Sequence, residues 1–287
     1  MTCNFDLIFL TIRNSYMNLS FNNNSFDVAS DSEVHYNGNI RQIKDGINTE
    51  FHVTGELKMA DIVTSNTNLL LVIERFGIPL GFGNKTVFGV CKEHNLDSRL
   101  VMAVMNISIN KNYPVQESLS YGMLPGLITY LKNAHDYYLD HKLPFINDLI
   151  DRFIQNTENP NTRLIKSFFN EYAKEVEEHM NLENDTVFPY IETVYTSFVR
   201  KEEPGQRDYS IRDFVEHHSD IDEKLDDLVH LLIKHFPPTK ERYYRNEILL
   251  ELSGLQDDLN DHAGLENLIL VPLVRELEYK LRLHGEE

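Results

Sequence analysis

Residues 179–189 read HMNLENDTVFP, and residues 262–272 read HAGLENLILVP. His, Leu, Glu, Asn and Pro stand at the same offsets in both. Residues four apart on an α-helix share a face, one turn from each other. His179 and Glu183 therefore project together, and so do His262 and Glu266. Glu175 and Asp258 extend each stripe one turn back, so both helices present acid, imidazole, acid along one line. A single trio of this kind would read as a solvated helix face. Two in the same frame, each followed by an apolar pair (Val187 and Phe188, Leu270 and Val271), read differently. Buried carboxylates and imidazoles are costly unless paired or bound to a metal. Two matched stripes meeting inside a bundle therefore imply a cation.

Outward from these motifs, residues 124–284 carry four long amphipathic segments, roughly 125–155, 161–199, 208–235 and 242–283. NTENPN, KEEPGQ and HFPPTK separate them as turns. The spacing predicts an all-α fold, an antiparallel up-down-up-down four-helix bundle. Pro144, Pro189 and Pro272 fall inside segments. A mid-helix proline loses a backbone hydrogen bond and crowds the preceding turn, so the second and fourth segments are expected to bend or break there.

The first and third helices must then supply the remaining ligands. NAHDYYLDHKLP offers His135 and His141, six apart and so on different faces. His135 lies on the apolar stripe with Leu131 and Leu139, whereas His141 neighbours Asp140 and Lys142, so His135 is the expected ligand. FVEHHSDIDEKL offers His217 and His218; His218 shares its face with Phe214, Ile221 and Leu225, and is preferred. The set is four imidazoles (His135, His179, His218, His262) and two carboxylates (Glu183, Glu266) from four helices. Two metals bridged by two carboxylates use such a set naturally. Imidazole and carboxylate without thiolate suit Fe, and after it Mn, rather than structural Zn. Open positions would take an oxo or hydroxo bridge and a small ligand. Glu175 and Asp258 stand where they could hydrogen-bond to ligand groups. Tyr138, three residues after His135, could approach the metals, although packing is its expected role.

This pattern over about 160 residues resembles the hemerythrin-like fold, and within it the repair-of-iron-centres proteins. The resemblance implies a non-haem di-iron centre serving nitrosative and oxidative stress. Its tasks would be repair of iron–sulfur clusters or handling of nitric oxide or peroxide. Oxygen-carrying hemerythrins add a histidine four after the third-helix one, where this chain has Asp222, so a five-histidine carrier site is not matched. Residues 58–110 resemble that family's small helical N-terminal domain. Where the family carries a Cys-Cys pair, this chain has Gly81 and Phe82 in IPLGFGNKT, and Cys91 follows some ten residues on.

TNLLLVIERFG is expected to end at a C-terminal Gly, and DSRLVMAVMN to start at an Asp cap. Residues 111–123, around Pro114, read as a linker. Residues 1–57, rich in Asn, Ser and Asp, read as a disordered or irregular extension, with the packed chain starting near Met59. His94 and His284 read as surface residues, and His230 and His235 as favourable charges at a helix C-terminus.

A net charge of −18, with 45 acidic against 27 basic residues, argues against nucleic-acid binding through the bundle. No apolar run is long enough for a membrane span, no signal peptide is evident, and Cys3 and Cys91 suit a reducing compartment. A cytoplasmic protein is expected. Its partners would be a small diatomic ligand or peroxide, iron–sulfur proteins, and a second copy through residues 58–110. A di-iron sensor and a metal-free helical interaction protein are the competing readings.

Overall fold

The computed structural model describes residues 52–111, 113–115, 119–157, 162–202, 209–217, 222–235 and 242–284, within one unit, Phe51–Glu287. Four short helices come first: α1 Met59–Ser65, α2 Leu69–Arg75, α3 Val87–Glu93 and α4 Ser98–Ile109. Their ends follow the chemistry of their residues. Gly77 (φ +67°) sits past the end of α2, its N–H donating to Glu74 O (2.7 Å) while Ile78 N–H reaches Ile73 O (2.9 Å). That paired pattern satisfies carbonyls the helix leaves open, and it needs a left-handed residue that only Gly adopts without cost. Asp97 caps α4 by accepting from Arg99 N–H at 2.9 Å.

The packed chain starts earlier than Met59. Val53 is buried, its N–H donates to Asn106 Oδ1 (2.5 Å), and Asn106 Nδ2 donates back to Val53 O (3.1 Å). This two-point bond satisfies a buried amide on α4, so residues 52–57 belong with the helical unit. The rest of the expected N-terminal extension lies outside the described residues.

Each long segment contains one wide π turn. The first is α5 Leu124–Tyr137, a π turn Tyr138–Lys142, and α6 Leu143–Gln155. The second is α7 Thr162–Leu182, a π turn Glu183–Val187, and α8 Phe188–Arg200. The third comprises α9 Ile211–His217, α10 Asp222–His230 and a π turn Leu231–His235. The fourth is α11 Arg242–Leu265, a π turn Glu266–Leu270, and α12 Val271–His284. The expected breaks at the prolines do not occur. Leu143, Phe188 and Val271 donate instead to the carbonyls of Tyr138, Glu183 and Glu266, five residues back, and the next residue is Pro144, Pro189 or Pro272. The widened turn takes the proline ring out of the register in which it would clash, so the helix continues.

Neighbours are antiparallel. The second half of the first segment (α6) packs on the first halves of the second (α7) and fourth (α11), and α10 packs on α7 and α11. At the other end α12 packs on α8 and α9. The result is the expected all-α bundle, with α2 resting on α5 and α4 on α11. Two apolar cores fill it. One holds the helices of the N-terminal unit with Leu131, Val187, Phe188, Phe214, Leu265 and Ile269. The other holds Ala134, Tyr138, Met180, Leu225 and Leu259. Between them lies a buried polar layer. Among the described residues no helix is long and apolar enough to cross a membrane.

Candidate metal centre

The polar layer is made by His135, Glu183, His262 and Glu266, all buried, each offering one donor atom within 4.8 Å of the others. Helix periodicity sets half of the geometry. His179 Nε2 lies 2.8 Å from Glu183 Oε1, and His262 Nε2 lies 3.1 Å from Glu266 Oε1, the same i,i+4 contact in both copies of the motif. Packing sets the rest. His135 Nε2 stands 3.2 Å from Glu183 Oε2 and 3.1 Å from His262 Nε2, and His262 Nε2 stands 3.9 Å from Glu183 Oε2. Glu183 thus turns one oxygen to His179 and the other to His135 and His262.

The first atoms around this cluster aim it inward. The Asn184 amide oxygen can only accept, so His135 Nδ1 carries the proton in their 3.0 Å contact and Nε2 keeps its lone pair for the cluster. Phe188 stacks on the His135 ring at 5.5 Å and covers it.

Electrostatics separate the two carboxylates. Burial disfavours charge on Glu183, but His135, His179 and His262 overturn this and hold it well below the usual range. Burial, and then the charge on Glu183, push Glu266 up to about 7. Burial also works against charge on His179 and His262, yet the carboxylates beside them raise both, His262 to about 9. Burial keeps His135 low.

These residues fit a cation. Among the described residues neither Glu183 oxygen receives a well-directed hydrogen bond, although imidazole nitrogens stand 2.8 and 3.2 Å away. Two Nε2 atoms converge at 3.1 Å beside two buried carboxylates. Such charge is tolerated in an interior when matched by opposite charge or by a metal. The donors are nitrogen and oxygen without sulfur, a set that suits a divalent cation bound by imidazole and carboxylate.

Residues 127–274 match the family model of the hemerythrin HHE cation-binding domain. The chain belongs to this hemerythrin family. The iron-sulfur cluster repair protein ScdA of Staphylococcus haemolyticus is 20% identical over 221 residues, which are 76% of this chain and 97% of that protein. The expected likeness to cluster-repair proteins therefore stands beside the hemerythrin fold.

Not every expected residue joins the hemerythrin site. His218 lies outside the described residues, and nothing is described of the His217 side chain. His141 is exposed. Glu175 is part-exposed and pairs with Lys224 rather than with a ligand, because its turn of α7 faces solvent beside α10. Asp258 is held by Arg75. The Tyr138 hydroxyl donates to Asp258 O (3.2 Å), and its ring meets His262 edge-on at 5.8 Å. Tyr138 opens its π turn as Glu183 and Glu266 open theirs. Cys91 is buried on α3, where burial and then Asp97 push its thiol up to about 11, which leaves it inert.

Two residues escaped the sequence reading. Asn184 was visible as part of the repeat, but its copy Asn267 is exposed, so the repeat alone does not tell which one acts. Arg75 meets its partner 183 residues along the chain, and no local pattern signals that.

Proposed function

We propose that this protein is a non-haem di-iron protein of the nitrosative and oxidative stress response. In this reading His135, His179, His218 and His262 would be terminal ligands of two iron ions, and Glu183 and Glu266 would be shared between them. Manganese is the secondary choice. One observation carries it: Glu183 directs its two oxygens to different imidazoles, Oε1 to His179 and Oε2 to His135, as a bridging carboxylate must. His218 enters from its place in the sequence between Phe214 and Leu225, which belong to the two different cores.

Bound iron would supply one-electron chemistry and open positions for nitric oxide, peroxide or dioxygen. The protein's own groups do the rest. Asn184 orients His135, Phe188 and the apolar cores exclude water, and Glu183 stays ionised for the cation. The ScdA likeness favours repair of iron–sulfur clusters. The same reading has the protein act in the cytoplasm, with damaged cluster proteins as partners and residues 58–110 as a dimerising element. The absent Cys-Cys pair shifts the weight toward handling of iron or gas. A sensor without turnover is the second reading, favoured by Arg75, which links the N-terminal unit to the turn before His262.

Iron content after anaerobic reconstitution tests the centre. Two irons per chain are expected, and clearly fewer would overturn it. Glu183→Ala and Glu266→Ala should each lower the content, and His141→Ala should not. His218→Ala should lower it while His217→Ala leaves it unchanged; the reverse would reassign the third helix. Stopped-flow mixing of the reduced protein with nitric oxide or peroxide separates turnover from stoichiometric binding by a sensor.

A further inference from the structure

Arg75 lies outside the residues matched to the hemerythrin family, yet it is buried against the bundle. It ends α2, and its side chain is only 6% exposed. Nη1 and Nη2 donate to Asp258 Oδ1 and Oδ2 at 2.7 and 2.5 Å, and the Arg75 carbonyl accepts from Asn133 Nδ2 at 2.7 Å. The guanidinium lies over the rings of Tyr137 and Tyr138, 5.3 and 5.1 Å from their centroids. A planar two-point pair fixes a carboxylate in direction as well as distance.

Asp258 is one helical turn before His262, on the same face. Tyr138 closes the circuit, because its hydroxyl bonds the Asp258 carbonyl while its ring lies against His262. Behind this turn is a cavity of about 180 Å³, walled by Asn68, Arg75, Lys142, Asp257, Asp261 and His262. The Arg75–Asp258 pair ties this turn to α2 beside the cavity.

We propose that Arg75 is a positioning residue for His262, so that the N-terminal helical unit completes the metal centre by locking, through Asp258 and Tyr138, the turn that presents this imidazole. The inference rests on the metal-binding reading above. It makes the N-terminal unit a regulator: whatever draws α2 off the bundle loosens His262 and speeds metal exchange.

The test uses the full chain and cobalt(II), whose visible bands report ligand geometry. Wild type is compared with Arg75→Met, which keeps the apolar stem, and with Asp258→Asn, which keeps size and the carbonyl bonded to Tyr138. Lys224→Ala, which removes a surface ion pair, is the control. Both core variants should shift the cobalt bands, bind about 10–100-fold more weakly, and release cobalt faster to a chelator. The control should match wild type. Circular dichroism establishes that each variant folds, and if Arg75→Met does not, Asp258→Asn carries the comparison. Unchanged bands, affinity and release rate in the folded variants would overturn the role of Arg75. Failure of wild type to bind cobalt or iron would instead overturn the metal reading itself.

Discussion

Glu183 and Glu266 occupy the same register of the same motif, and their surroundings make them different acids. Glu183 is ringed by imidazoles and stays ionised, whereas Glu266 faces burial and the charge of Glu183 and is pushed up to about 7. A cation needs both carboxylates ionised and every imidazole neutral. Binding must therefore displace the proton on His262, raised to about 9, and the one shared with Glu266. Affinity should rise with pH up to about 9, more steeply below about 7, where Glu266 also holds its proton, than between about 7 and 9, where only the His262 proton still has to leave. The slope should be roughly tenfold per pH unit for each proton displaced. Competition titrations with a metal indicator across that range check it, and a flat profile would contradict the coupling. Asn184→Ala should weaken metal binding about 10–100-fold by freeing His135. Asn267→Ala, the same substitution in the other copy, should change nothing, because that side chain is exposed. Metal titration of the pair reads the difference. The faces of His179, Glu183, His262 and Glu266 were legible because helix period alone decides them. Which Asn acts depends on what lies opposite, and only Asn184 has an imidazole there.

At the level of elements, the prolines were expected to bend or break the helices, and there is an identifiable reason why no break occurs. A proline inside an α-helix implies a break if the turn before it is α-helical. Here that turn is π-helical in all three cases, and each donor ahead of Pro144, Pro189 and Pro272 reaches the carbonyl five residues back. In sequence the sign was an apolar residue followed by Pro at a fixed six-residue offset from Tyr138, Glu183 and Glu266. Pro237 repeats it after Leu231, where the third helix has its own π turn. The two bridging candidates each open such a turn, so the wide turn also places both carboxylates in the polar layer. Replacing a strained mid-helix proline would be worth about 3 kcal/mol. Pro189→Ala should instead change stability by less than about 1 kcal/mol, because the wide turn has already removed the clash. Urea unfolding of the metal-free protein checks it. A gain near the larger value would mean the helix is strained after all.

At the level of the whole molecule, the polar layer divides the apolar interior, and two devices hold the halves together. One is the Arg75–Asp258 pair between the N-terminal unit and the bundle. Neither partner advertised the other in sequence, since amphipathic periodicity reports which face is buried and not which distant charge waits there. Asp258→Ala would leave a guanidinium buried without its counter-charge, so the metal-free protein should lose about 3–5 kcal/mol, read by chemical denaturation. The other device is the cation itself. Four buried titratable ligands from three helices repel, compete for protons or stay poorly directed when only protein groups are available. An ion that binds the folded chain alone gathers these helices at one point. Held free at about 100 times its dissociation constant it adds about 2.7 kcal/mol. In a domain of this size that shifts the thermal midpoint by roughly 5–10 °C. Stripping the metal with a chelator should lower the melting temperature by that amount, and restoring iron should recover it. Glu183→Ala, which lacks the central carboxylate, should melt at the same temperature with and without chelator.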